Sequence, residues 1–270
     1  MVRIVGSGLT KVIVLGAMIA AAQAQTPVVA AGGVGNAANG ISPVTPGSLV
    51  SIYGTSLAAS TVSGDTIPLS NTINNVSVTM NGIPAPLLFV SSGQINAQVP
   101  WNVLSSGTSG AASVIVSNKG TPSAPQSVQV GPFSPGIFAI GNNIAVAINN
   151  ADGSIAAPAG AIAGVTSHPA KIGDPFGLAI WCTGLGAVSP SVANGAASSD
   201  TLRTANTFPA VTVGGQPVNV VWAGLTPQFP GVNQINITLP SGTPTGNAVP
   251  IQISVGGVTT SNTITIAVSQ

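Results

Sequence analysis

The sequence predicts an all-β protein, two tandem two-sheet sandwiches following a cleaved signal peptide. Three observations lead there. The chain repeats itself: Gln94-Ile95-Asn96-Ala97-Gln98-Val99-Pro100 returns as Gln234-Ile235-Asn236-Ile237-Thr238-Leu239-Pro240, and self-similarity of this kind marks a duplicated structural unit. Apolar and polar residues alternate with a period of two, the signature of half-buried strands. The 34 Gly and 22 Pro punctuate a chain rich in Val, Ile, Thr, Ser and Asn, and no stretch sustains a helical period.

Residues 1–24 read as a signal peptide. Arg3 and Lys11 precede an apolar run, Val12 to Ala22, and Ala22-Gln23-Ala24 is a small-residue cleavage signal. The run is short for a membrane span, and no later stretch is long and apolar enough to be one. The mature chain is expected to begin near Gln25 and to work outside the cytoplasm, secreted, periplasmic or at the cell surface. Residues 25–40 carry Ala, Gly, Val and Asn without a period, and read as a flexible N-terminal extension.

The first sandwich is expected over 41–134. Val50 and Ile52 alternate with Ser51 and Tyr53. Val76, Val78 and Met80 alternate with Ser77 and Thr79, and Asn81-Gly82 then supplies a hairpin turn. Ile95, Ala97 and Val99 face one way while Gln94, Asn96 and Gln98 face the other. Val114 with Val116, then Val128 with Val130, complete the set.

The linker, an entry hairpin and the second sandwich are expected over 135–270. Phe133-Ser134-Pro135-Gly136-Ile137-Phe138 reads as an extended linker pinned by two aromatics. Ile144 to Asn149 predicts a strand that Asn150-Ala151-Asp152-Gly153 turns back. In the second copy Val211 and Val213 end at Gly214-Gly215, and Val218, Val220 and Trp222 form the returning strand. Ile235, Ile237 and Leu239 follow, then Ile251, Ile253 and Val255, and finally Ile264, Ile266 and Val268. Short alternating strands with Gly and Pro between them argue for stacked sheets.

The match between copies extends beyond the central repeat. Val76-Ser77-Val78 with Gly82 and Pro84 answers to Val211-Thr212-Val213 with Gly215 and Pro217, and Tyr53-Gly54-Thr55-Ser56-Leu57 answers to Trp181-Cys182-Thr183-Gly184-Leu185. The two copies also differ. The step from Phe89 to Gln94 is seven residues shorter than that from Trp222 to Gln234, which places an insertion within Ala223 to Asn233.

Several runs carry a family resemblance. The segment Pro46 to Gly54, the hairpin Val76 to Pro84 and the strand ending at Pro100 resemble the IPT/TIG class of immunoglobulin-like domains. Pro84 to Val90, Gln94 to Trp101, Pro135 to Phe138, Asp152 to Ser154, Thr183 to Gly186 and Gln234 to Asn236 together resemble an uncharacterised secreted C-terminal domain family of Solibacter-type acidobacteria. The resemblance spans roughly residues 40–268. It implies a bacterial, secreted, immunoglobulin-like protein and implies no activity. Cys182 stands where that family more often has a small residue.

The charge pattern excludes several function classes. After removal of the signal peptide, Lys119, Lys171 and Arg203 face Asp65, Asp152, Asp174 and Asp200, with no Glu anywhere. Nucleic acid demands clustered Lys and Arg, so it is not an expected partner. Four scattered Asp give no paired-carboxylate site. The single His168 and single Cys182 leave zinc without ligands, and calcium lacks an acidic loop. Ser167-His168-Pro169 reads as an exposed inter-module loop, and no Gly-x-Ser-x-Gly elbow offers a nucleophile. Gly33 to Ala38 fits a loose dinucleotide pattern but follows no strand. Asn75-Val76-Ser77 and Asn236-Ile237-Thr238 fit the glycosylation sequon at predicted strands, and carry no weight in a bacterial protein. No catalytic residue, cofactor or metal is expected. Cys182, flanked by Trp181, reads as a small buried hydrophobe.

The sequence therefore predicts a non-enzymatic structural or interaction module whose partner is an extracellular protein or a glycan. Its alternative form is a carbohydrate-binding module. Gln94, Asn96 and Gln98 form a polar stripe repeated as Gln234, Asn236 and Thr238, and amide-rich faces hydrogen-bond sugars as well as water. Trp101, Trp222 and Phe229 are the candidate ligand or partner surface, against the alternative that they fill the core or the joint between modules.

Overall fold

Alternating Val, Ile, Ser and Thr build strands throughout the described residues, 25–141, 143–260 and 263–270 of this computed structural model, and no helix occurs among them. The expected signal peptide, residues 1–24, lies outside the described residues.

The first half contains β1 (Val28–Asn36), β2 (Leu49–Thr55), β3 (Val76–Met80), β4 (Leu87–Val90), β5 (Gln94–Gln98), β6 (Gly110–Asn118) and β7 (Gln126–Val130). One antiparallel sheet runs β1-β2-β5-β4 and ends on a two-residue strand at Val62–Ser63. The other is built on β6, which pairs with both β3 and β7. Period-two patterning sends Val50, Ile52, Ile95 and Leu87 inward from the first sheet. They meet Val76, Val78, Met80, Val114 and Val116 from the second, all of them free of solvent. Each such side chain contributes about 1.5–3 kcal/mol by burial.

The second half contains β8 (Ala147–Asn149), β9 (Leu178–Thr183), β10 (Ala210–Val213), β11 (Gln216–Leu225), β12 (Asn233–Thr238), β13 (Gly246–Val255) and β14 (Ile264–Ser269). One layer runs β8-β9-β12-β11 and the other β14-β13-β10-β11. Strand β11 serves both. Its residues 216–218 pair with β10 and its residues 219–225 with β12. The core between the layers holds Ile180, Ile235, Ile237, Ile251, Ile253, Ile264 and Ile266.

The repeated sequence folds into repeated geometry. Strands β2-β5-β4 of the first half recur as β9-β12-β11 of the second. The predicted hairpins also match: Asn81 and Gly82 take φ of 52° and 76°, and Gly214 and Gly215 take 59° and 78°. Two consecutive positive values are what a type I′ turn requires.

Three expectations change. Residues 28–36, expected within a flexible extension, are β1, paired along β2 from Val28↔Thr55 to Asn36↔Val50. Its two ends pair with β2 while Ala30 to Gly33 bulge out between them, and that break in register removes the side-chain period. The linker is tied into the second half, with Gly136 and Ile137 pairing Thr183 and Cys182 of β9. The Ser167-His168 loop forms a short parallel pairing with Ile155-Ala156.

Polar contacts between the halves are buried and specific. The Leu49 N–H donates to Thr183 Oγ1 at 3.0 Å, and that hydroxyl donates to the Gly231 carbonyl at 2.8 Å. Within the first half, Asn36 Nδ2 donates to Ser134 O at 2.6 Å and ties β1 to the start of the linker. The insertion in copy two thus reaches across, with Gly231 packed against Leu49.

Candidate functional site

The outer face of β9-β12-β11 carries Trp181, Trp222, Gln234 and Asn236. Registers place Trp181 beside Gln234, and Asn236 between Ala179 and Trp222. Simple alternation would put Trp222 on the inner face with Val218 and Val220. A β-bulge intervenes between Val220 and Trp222. Val220 still sits opposite the core residue Ile237, Val221 is the extra residue and is 60% exposed, and Trp222 then faces outward opposite Asn236. Bulges re-aim side chains in this way.

The Trp222 ring lies over Gly224, where a Cβ would come within 2.5 Å of it. Gly224 is therefore a requirement of the ring's position. Gln234 Nε2 donates to Asn236 Oδ1 at 2.7 Å, which fixes the amides as a pair. With those two atoms bonded to each other, the Gln234 carbonyl oxygen and the Asn236 NH2 group remain for a ligand. Leu202, Trp222, Pro227, Gln234 and Asn236 line a cleft of about 290 Å³. None of the five side chains titrates.

Two loops frame this face. Thr226 Oγ1 accepts the Phe229 N–H and donates to the Phe229 carbonyl, at 3.3 and 3.1 Å. The loop so fixed brings Phe229 against Trp181, ring centroids 5.1 Å apart and tilted by 53°. On the other side Arg203 anchors the segment carrying Leu202. Its guanidinium forks onto Asp200, Nη1 to Oδ1 at 2.6 Å and Nη2 to Oδ2 at 3.1 Å, and its Nε donates to Ser191 O. The Arg203 guanidinium holds the Asp200 carboxyl down at about 2.

Of the three residues singled out from sequence, the structure brings Trp222 and Phe229 to one face and puts Trp101 elsewhere. Trp101 lies at the joint between the halves. Its ring rests on Gly47, and its backbone N–H donates to Asn194 Oδ1 at 2.8 Å. It lines a separate groove with Pro46, Phe133, Gly186 and Asn206. Sequence reasoning missed Trp181. The signal was present: Leu178, Ile180 and Cys182 alternate inward, so a Trp between them points out. The third amide of the first stripe, Gln98, is buried at 1% exposure and belongs to the joint.

Asp152, Ser154 and His168 form a separate cluster. Ser154 donates to Asp152 Oδ1 through both N–H and Oγ, at 3.0 and 2.8 Å, and Asp152 Oδ2 meets His168 Nε2 at 2.8 Å. The Ser154 bonds, then His168, hold the Asp152 carboxyl at about 2. The Pro169 carbonyl, then Asp152, raise the His168 imidazole above its ordinary value. The hydroxyl contacts the carboxylate rather than the imidazole, so the Ser-to-His bond that activates a nucleophile is not made. Cys182 is fully buried, and burial pushes its thiol far up.

Residues 39–130 match the IPT/TIG domain model. No curated protein matches. Among solved structures, the plexin A4 extracellular region is similar at 12% identity and a TM-score of 0.27, over 90% of this chain and 18% of that one. A surface glycan-binding protein from Prevotella bryantii is similar at 13% identity and 0.26, over 87% of this chain and 41% of that one. InvD of Yersinia pseudotuberculosis stands at 17% and 0.24, over 84% and 55%. The chain spans just over half of the last of these and less of the others.

Proposed function

We propose that this chain is a non-enzymatic extracellular binding module, and that the outer face of β9-β12-β11 takes a neutral carbohydrate. One observation carries the reading: Trp181 and Trp222 flank the bonded amide pair Gln234–Asn236 in strand register. Indole faces offer broad apolar area at low entropic cost, which suits the C–H face of a pyranose ring. An adjacent acceptor and donor suit its hydroxyls, and a few placed polar groups on an apolar lining are how small-ligand sites obtain orientation. The cleft lining holds no charged side chain, which favours uncharged sugars and offers no acid or base.

The extracellular assignment rests on the signal peptide expected over 1–24, and is tested by finding Gln25 at the N-terminus of exported protein. The division into modules at 134/135, with β1 added to the first, is tested by producing residues 25–134 and 135–270 separately and measuring whether each unfolds cooperatively. Membership of the acidobacterial secreted-domain family rests on six ordered motifs, and an alignment spanning both halves would test it.

The binding test is titration of the mature chain with neutral oligosaccharides. Saturable binding that weakens about five- to thirtyfold in Trp181→Ala and Trp222→Ala, each stacking contact being worth about 1–2 kcal/mol, supports the reading. A broad neutral-glycan panel without binding overturns it.

A further inference from the structure

The first half carries the same constellation, in the same register, on the equivalent strands. Tyr53 of β2 stands beside Gln94 as Trp181 of β9 stands beside Gln234. Phe89 of β4 stands opposite Asn96 as Trp222 of β11 stands opposite Asn236. The bulge is repeated too: Leu87 faces the core opposite Ala97, Leu88 is the extra residue, and Phe89 is thereby turned outward. The amide pair is bonded alike, Gln94 Nε2 donating to Asn96 Oδ1 at 2.8 Å against 2.7 Å in the second half. A bulge that re-aims an aromatic onto a bonded Gln–Asn pair, twice in one chain, is more than a solvated sheet face needs.

We infer that the Tyr53–Phe89–Gln94–Asn96 face is a second sugar subsite, and that the chain holds one neutral polysaccharide at two points. The inference rests on the carbohydrate reading of the second half. Tyr53 is 46% exposed, while Phe89, Gln94 and Asn96 are partly exposed. None of the four is charged, so this face suits the same uncharged ligand. Smaller rings offer less stacking area than two indoles, which makes this the weaker subsite. Ser51 Oγ also donates to Asn96 Oδ1 at 3.1 Å, so that oxygen takes two protein donors and Asn96 acts on a ligand through its NH2 group. The two faces are joined by protein. Leu88, next to Phe89, lines the same groove of about 310 Å³ as Phe229, which stacks on Trp181. Buried bonds across the joint fix the halves relative to each other, so a polymer would meet two pre-placed subsites. Such linkage raises polymer avidity by about 10²–10⁴ over a single subsite.

The probes are xylan, mixed-linkage β-glucan and glucomannan, with hexasaccharides cut from each, titrated calorimetrically into the mature chain. The expected stoichiometry is two hexasaccharides per chain. Tyr53→Ser and Phe89→Leu, which leave the core untouched, lower it to one and weaken polymer binding at least tenfold. Trp222→Ala also lowers it to one. Thermal melts confirm that each variant folds. One hexasaccharide per chain, lost in Trp222→Ala and unchanged in Tyr53→Ser, overturns the second subsite and leaves the first reading standing. One per chain, lost in Tyr53→Ser alone, supports this subsite and overturns the assignment to the second half. No binding by any probe overturns both.

Discussion

Gln98 Oε1 accepts the Gly195 N–H at 2.7 Å, a bond between residues 97 apart that joins β5 of the first half to a loop of the second. The same amide donates from Nε2 to Gly47 O at 3.2 Å, and Gly47 supports the Trp101 ring. One buried side chain therefore serves both partners of the joint.

Gln98→Ala leaves the Gly195 N–H and the Gly47 carbonyl unpaired in a buried setting. Each orphaned group costs about 1–3 kcal/mol. The expected result is a lower denaturation midpoint with unchanged hexasaccharide affinity at the β9-β12-β11 face. Gln94→Ala, on the same strand but outside the joint, is expected to leave the unfolding free energy within about 0.5 kcal/mol of the parent and the midpoint nearly unchanged. Equal midpoints for the two variants would show that Gln98 does not hold the halves together.

The Asp152–His168 pair predicts a pH profile. Both His168 ring nitrogens face acceptors, the Asp152 carboxylate and the Pro169 carbonyl at 2.9 Å, so only the doubly protonated ring satisfies both. The folded-state value of His168 is raised above 6.5. Its contribution is complete below 6.5 and fades as pH rises through the raised value. Asp152 is lowered to about 2 from 3.8, so its contribution is complete above 3.8 and fades as pH falls through about 2. The pair contributes fully between about 3.8 and 6.5. His168 is the single histidine, so its ring protons titrate without overlap. NMR titration is expected to place it above 6.5 in the parent and lower in Asp152→Asn. An unshifted value in both would refute the pairing.

Cys182 sits at 0% exposure in the core of the second half. Thiolate is the reactive form, and burial suppresses it. A thiol reagent such as dithionitrobenzoate is expected to leave the native protein unmodified over hours and to label one thiol per chain in denaturant. Rapid labelling of the native protein would contradict the burial.

Much of the fold was legible in the chain because alternation reports burial directly. Val76, Val78 and Met80, or Ile235 and Ile237, can face a core only as strands, and Asn81-Gly82 and Gly214-Gly215 announce their turns. Strand β1 was not legible, since Ala30, Ala31, Gly32 and Gly33 form an irregular stretch that bulges off β2 and interrupts the alternation of its paired ends, Val28–Val29 and Val34–Asn36. The candidate site was half legible. Gln234, Asn236, Trp222 and Phe229 stood out by residue type, but Trp181 drew notice as an echo of Tyr53 and as the neighbour of Cys182, not as a site residue.

By itself the sequence determined that strands form, that they form twice, and that an amide pair sits at one place in each copy. Tertiary structure decided where the aromatics go. One extra residue, Val221 or Leu88, reverses the face of every side chain beyond it, because side chains in a strand alternate with a period of two. Local pattern cannot place that slip, since it is set by pairing with β12 and β5. It is this slip that turns Trp222 and Phe89 away from the core and onto the amides.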